Sequence, residues 1–141
     1  MQSRETSNGF LIRLARGEKV IETLTRFCAE RGIGSGTLCA IGAIMDAELG
    51  YYDLAKRQYF FFPIAGTREV ASMNGTIAVA EGAPTLHIHT VLSAGDETLA
   101  CAGGHLKEAT VAVTLEVSLV PDAEPVERRF DDETGLSLMS L

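Results

Sequence analysis

The chemistry-bearing residues of this chain are its three histidines, His87, His89 and His105. Little else competes with them. There is no GxxxxGKS/T phosphate loop, no CxxC pair, and no serine or cysteine in a nucleophile elbow. Gly32-Ile33-Gly34-Ser35-Gly36 has the glycine content of a phosphate-binding turn, but it follows a helical pattern and precedes a strand, the reverse of the required order. Neutral imidazoles donate nitrogen lone pairs to Zn²⁺ at about 2.0–2.1 Å, and three of them leave a fourth position for water or another ligand. Other divalent first-row metals accept the same nitrogens.

The spacing of the histidines gives them a common face. In Thr85-Leu86-His87-Ile88-His89-Thr90-Val91-Leu92, strand alternation puts both imidazoles on one side and Leu86, Ile88 and Leu92 on the other. If residues 85–94 and 98–107 form a hairpin closed by Gly95-Asp96-Glu97, His105 lies directly opposite His87, with Cβ atoms about 4.5–5.5 Å apart. A slip of one residue would send His105 to the other face. Gly103 and Gly104 precede His105 and leave backbone freedom and space beside it. A carboxylate is expected to orient a ligand histidine, and Glu69, Glu108 and Glu116 are candidates. The competing reading is a pair of strand histidines hydrogen-bonded in a polar groove or at a subunit interface.

The elements that position these residues can be read from periodicity. Phe10 to Leu14 forms a short strand. Val20, Ile21, Leu24, Phe27 and Cys28 then recur at the spacing of one helix face, which places a helix at about 18–31, stopped by Gly32. Arg26 and Arg31 suit its negative end. From residue 37 onward the pattern is β. Residues 37–52 carry Gly42 and Gly50 as bend or bulge positions, and Tyr59–Phe62 is a strand ended by Pro63. Residues 67–80 form a strand pair or one bent strand around Asn74-Gly75. Thr85–Leu92, Thr98–His105 and Val111–Val120 complete the set, the last with Val111, Val113, Leu115, Val117 and Leu119 on one face. The fold class is therefore α+β: a bent, mainly antiparallel sheet of six to seven strands, with one long and one optional short helix packed on it.

Composition narrows the function. The chain has 141 residues, 46% of them hydrophobic, with a formal charge of −7. That length and apolar content suit a single domain spanning 1–141 and exclude a disordered chain. No run approaches the roughly 20 apolar residues of a membrane helix. The opening MQSRETSNG has no apolar core of a signal peptide, so a cytoplasmic location is expected. Cys28, Cys39 and Cys101 are odd in number and widely spaced, against both a disulfide framework and a cysteine zinc knuckle. Lysines and arginines form no tract, and an acidic chain repels phosphate backbone.

In order along the chain, Arg13-Leu14-Ala15-Arg16-Gly17-Glu18, Ala40-Ile41-Gly42-Ala43, Tyr51-Tyr52-Asp53, Glu69-Val70-Ala71-Ser72-Met73-Asn74-Gly75, His87-Ile88-His89, Gly103-Gly104-His105-Leu106 and Thr114-Leu115-Glu116-Val117 resemble the motifs of the plant-and-prokaryote-conserved (PPC) domain, with Arg128 to Leu136 as its closing segment. The resemblance spans nearly the whole chain and is of the stand-alone prokaryotic type, since the Arg-Gly-Arg-Pro core of an AT-hook is absent. It implies a strongly bent antiparallel sheet with packed helices, a homotrimer, and a metal, usually zinc, at His87, His89 and His105. Three functions follow as expectations: a metal-binding regulatory or interaction module, a DNA-binding or transcription-associated protein, and a metal-dependent hydrolase of unknown substrate.

Overall fold

The computed structural model describes residues 1–141. Nine strands and one helix follow one another as β1 (Gln2–Thr6), β2 (Gly9–Ala15), α1 (Val20–Glu30), β3 (Gly36–Asp53), β4 (Gln58–Ile64), β5 (Arg68–Ala80), β6 (Ala83–Ala94), β7 (Cys101–Pro121), β8 (Arg128–Asp131) and β9 (Leu136–Met139). The architecture is α+β, and every strand pair is antiparallel. Seven strands form one sheet in the order β1-β2-β7-β6-β5-β3-β4, and β7 also pairs with β3. That extra pairing closes a hydrogen-bonded circuit β3-β5-β6-β7, so the sheet curls on itself instead of lying flat. β8 and β9 form a separate hairpin.

Two long strands make this curl possible. β3 runs 18 residues and β7 runs 21. Each is shared along its length: β3 pairs first with β5 and then with β4, while β7 pairs first with β6 and then with β2. The β3–β7 register shifts between Gly42 and Ile44 and again between Met45 and Leu49. Such bulges bend strands and increase twist. Gly42 has φ +146°, and a Cβ there would lie 2.2 Å from the Thr114 carbonyl oxygen, so the bend requires glycine.

Helix α1 buries Val20, Leu24, Phe27 and Cys28 against the inside of the curl. Its own N-cap residue, Lys19, supplies no capping side chain. Glu108 on β7 does this from across the fold: its carboxylate accepts the backbone N–H groups of Ile21 at 2.9 Å and Glu22 at 3.2 Å. Ile44, Met73, Ile77, Ile88, Leu92, Leu115 and Leu119 are among the strand residues that pack with them in the core.

Several sequence expectations are corrected here. The optional second helix is not formed. β1, Gln2–Thr6, was not anticipated, because every one of its residues is exposed and no apolar alternation marks it. Of the two forms expected for residues 67–80, the single bent strand is the one formed: β5 continues through Asn74-Gly75, paired with His89 and Ile88 of β6, and its irregularity falls between Val70 and Ser72. Glycine is needed at 75 because a Cβ would sit 2.7 Å from Ile88 Cγ1 and 2.8 Å from the His87 oxygen. Pro63 lies within β4 opposite Glu48 rather than ending it, which an edge strand tolerates. Val113 is 66% exposed. The β3–β7 register shift sets three residues of β7, Ala112 to Thr114, against Ala43 alone on β3 at that point and breaks the alternation.

Candidate metal centre

β6 carries His87 and His89, and β7 carries His105. The local reason is the alternation read from sequence: Ile88, Thr90 and Leu92 are buried, so His87 and His89, at the alternate positions, point to the other face. The hairpin that brings in His105 differs from the expected one. Its loop runs from Gly95 to Ala100, not Gly95 to Glu97. Asp96 accepts the Thr98 backbone N–H at 2.9 Å and the Thr98 hydroxyl, Leu99 takes φ +49°, and Ala94 N donates to the Ala100 oxygen at 2.8 Å. Pairing therefore starts at Ser93 opposite Cys101, and His105 faces His89 rather than His87. The slip is two residues. Because strand faces repeat every two residues, His105 keeps the face it was assigned.

All three imidazoles converge. Ring centroids are 5.0 Å apart for His87–His89, 5.1 Å for His87–His105 and 5.6 Å for His89–His105. One nitrogen from each lies within 4.8 Å of the others. His87 Nε2 and His89 Nε2 are 3.2 Å apart. Two nitrogens held at about 2.0–2.1 Å from one tetrahedral ion would be separated by about 3.3 Å. The His87–His89 pair is thus spaced for one small divalent transition metal, and all three donors are of the type such an ion takes.

The electrostatics act in the same direction. Burial lowers the pKa of His87, assisted by His89 and by the charge of Arg128. Burial, His87, His89 and Arg128 push His105 down to about 4. Both rings are therefore neutral at pH 7, with lone pairs available. The Nδ1 atom of His105 is buried without a hydrogen-bond partner. Tyr59 and Phe61 of β4 flank the His105 ring, at centroid distances of 4.9 Å and 6.0 Å. Burial raises the pKa of the Tyr59 phenol and keeps it protonated.

The two glycines before His105 have a packing role. A Cβ on Gly104 would lie 2.6 Å from the Gly50 carbonyl oxygen, so glycine at 104 lets β7 pass close to β3. A Cβ on Gly103 would meet only 3.2 Å contacts, with the Thr90 oxygen and Val91 Cγ2. Both glycines line a small pocket of about 220 Å³ with Ser72, Asn74, His89 and Thr90.

The carboxylates proposed as orienting groups lie elsewhere in their bonding. Glu108 caps α1. Glu116 pairs in register with Arg13 and lines a larger groove of about 800 Å³, with Leu11, Ile41 and Met73, that contains none of the histidines. Glu69 pairs in register with Ser93. None of the three makes a hydrogen bond to an imidazole. Tyr59 and Arg128, which do act on the histidines, were not singled out from sequence. Tyr59 was read only as part of an apolar strand, and no periodicity marks Arg128.

Three solved structures show how widely this arrangement of strands occurs. A metal-containing protein from Archaeoglobus fulgidus is 34% identical, with a TM-score of 0.85 over 100% of each chain. A plant- and prokaryote-conserved (PPC) protein from Pyrococcus horikoshii is 28% identical, with a TM-score of 0.84 over 99% of this chain and 95% of that one. A protein from Ralstonia eutropha JMP134, provisionally named DNA-binding, is 29% identical, with a TM-score of 0.89 over 99% of this chain and 95% of that one. No curated protein matches the chain. Residues 1–121 match the family described as the Plants and Prokaryotes Conserved (PCC) domain. With its motifs in order and its bent sheet in place, the chain belongs to the Plants and Prokaryotes Conserved domain family.

Proposed function

We propose that this chain is a metal-binding protein in which His87, His89 and His105 hold one divalent transition metal, zinc first among them. The carrying observation is the convergence of every histidine in the chain on one point, with the His87 and His89 nitrogens spaced for a single ion. The metal-containing relative from Archaeoglobus supports the same reading. The ion leaves a coordination position open to an exogenous ligand. The protein acts as one domain over residues 1–141, as a homotrimer, in a regulatory or interaction role in the cytoplasm. Exposed Leu11, Ile41 and Val113 support self-association, because they leave apolar surface that the single helix does not cover.

The test is metal analysis of protein purified without chelator, beside His87→Ala and His105→Ala. About one equivalent of metal per chain in the wild type and a large loss in both variants are expected. Metal-free wild-type protein that stays metal-free after incubation with zinc would defeat the reading. Light scattering of the same samples tests the trimer.

A DNA-associated role is the second reading, favoured by the name of the Ralstonia relative. The charge of −7 opposes it. A duplex-binding assay in ~100 mM salt decides it, since non-specific binders have dissociation constants of about 10⁻⁴–10⁻⁶ M.

A further inference from the structure

Three buried side-chain polar atoms in this protein lack a hydrogen-bond partner: His105 Nδ1, Arg128 Nε and Arg128 Nη2. Native folds rarely leave such groups unpaired. The β8–β9 hairpin that carries Arg128 lies along the histidine region: Glu127 bridges to Val79 of β5 at one end, and at the other the Tyr52 hydroxyl donates to the Thr134 carbonyl at 2.7 Å, with the Tyr52, Tyr59 and His105 rings following at 5.0 Å and 4.9 Å.

The unpaired atoms of Arg128 are not arbitrary. Nε and Nη2 lie on the same edge of the guanidinium plane, and their two N–H bonds run parallel. That edge matches the two oxygens of a carboxylate or phosphoryl group, the bidentate pairing for which arginine is suited. Nη1, on the other side, donates to the Ser137 carbonyl at 3.0 Å and holds the plane in place. β8 is in turn fixed by its ladder with β9, and the neighbouring Glu127 bridges to Val79 of β5.

No acid of the chain takes the free edge. The ion pairs are Met1 (its α-amino group) with Glu18, Arg26 with Glu22 and Glu30, Lys56 with Asp53, and Lys107 with Glu48. None involves Arg128. A divalent ion on three neutral imidazoles beside this guanidinium would concentrate positive charge that no bonded carboxylate offsets. A partly buried excess of charge is stable only when it is paired.

We propose that the Nε/Nη2 edge of Arg128 binds the oxyanion head, carboxylate or phosphoryl, of a small molecule beside the three-histidine centre. This deepens the metal reading and rests on it for the charge balance, though not for the fork itself.

Two measurements on the full chain test it, with sodium acetate and inorganic phosphate as probes. In ¹⁵N-labelled protein, the Arg128 Nε–H resonance should move saturably with the preferred anion, and comparison of the two anions identifies the head group. In Co²⁺-loaded protein, the visible bands should respond to the same anion. Arg128→Gln should weaken that response roughly tenfold or more, and Arg128→Lys by an intermediate factor, as expected from losing a charged fork or only its geometry. Metal stoichiometry and melting temperature in both variants confirm that the fold and centre persist. An Nε–H resonance unmoved by either anion, or an Arg128→Gln variant that binds as the wild type does, overturns the proposal. A protein that takes up no metal but still moves Nε–H with anion overturns the metal reading and upholds the anion fork.

Discussion

Glu108 offers a sharp test of how this fold assigns its acids, because sequence spacing made it a candidate partner for the histidines and the structure gives it to the helix. Replacing it in Glu108→Ala removes both acceptors of the Ile21 and Glu22 N–H groups, held at 2.9 Å and 3.2 Å. Loss of an N-cap costs about 1 kcal/mol. Loss of a negative charge at the helix N-terminus costs a further ~0.3–1 kcal/mol. The side chain is partly buried and Lys19 supplies no substitute cap, so the two effects should add to about 1.3–2 kcal/mol. For a chain of this size that corresponds to a drop of about 5 °C in melting temperature. Guanidinium unfolding followed by circular dichroism, at one fixed protein concentration, should show a lower midpoint and an unchanged slope. Glu108→Gln keeps one acceptor oxygen and should lose about half as much. Metal content should be the same in all three proteins. The reasoning fails if Glu108→Ala is as stable as the wild type, or if it loses metal while keeping its stability.

The glycines before His105 should differ from each other. Gly104→Ala drives a Cβ into the Gly50 carbonyl at 2.6 Å and should lower both stability and metal content, whereas Gly103→Ala meets 3.2 Å contacts and should be milder; melting curves and metal analysis of the pair check this order. Burial raises the Cys28 thiol to about 11, so iodoacetamide at pH 8 should label exposed Cys39 and Cys101 and spare Cys28 in the native protein, as peptide mass mapping would reveal. The same shift has a sign for stability. The thiol is held protonated in the fold, and its ordinary pKa is 9.0, so its contribution is complete below pH 9 and declines as pH rises toward 11. Unfolding midpoints of wild type and Cys28→Ala between pH 8 and 11 should converge as pH rises; parallel curves would contradict the assignment.

Much of the fold and the site was legible in the residues themselves. The helix face of Val20, Leu24, Phe27 and Cys28 and the strand alternation around His87 and His89 are consequences of local periodicity, and local periodicity survives into the tertiary structure wherever one face is buried. Strand parity put His87 and His89 on one side, and the assumed hairpin register added His105. Even the wrong loop length left that result intact, because the slip was two residues and the face repeats every two.

What only the three-dimensional structure decided depends on contacts between distant parts of the chain. β1 has no apolar signal of its own and exists because β2 offers it an edge. Asn74-Gly75, a turn in isolation, is held straight between β3 and β6, where the missing side chain is needed for clearance. Glu108 could have served the histidines or the helix. Its carboxylate goes to the helix because the curl of β7 carries it past the open amides of α1. Arg128, 23 positions beyond His105, acts on that ring only because the β8–β9 hairpin docks beside β5. Periodicity specifies which way a side chain faces, because that is set by its immediate neighbours. Which distant group meets it is set by bulges, register and closure of the sheet, and these are settled only when the whole chain packs.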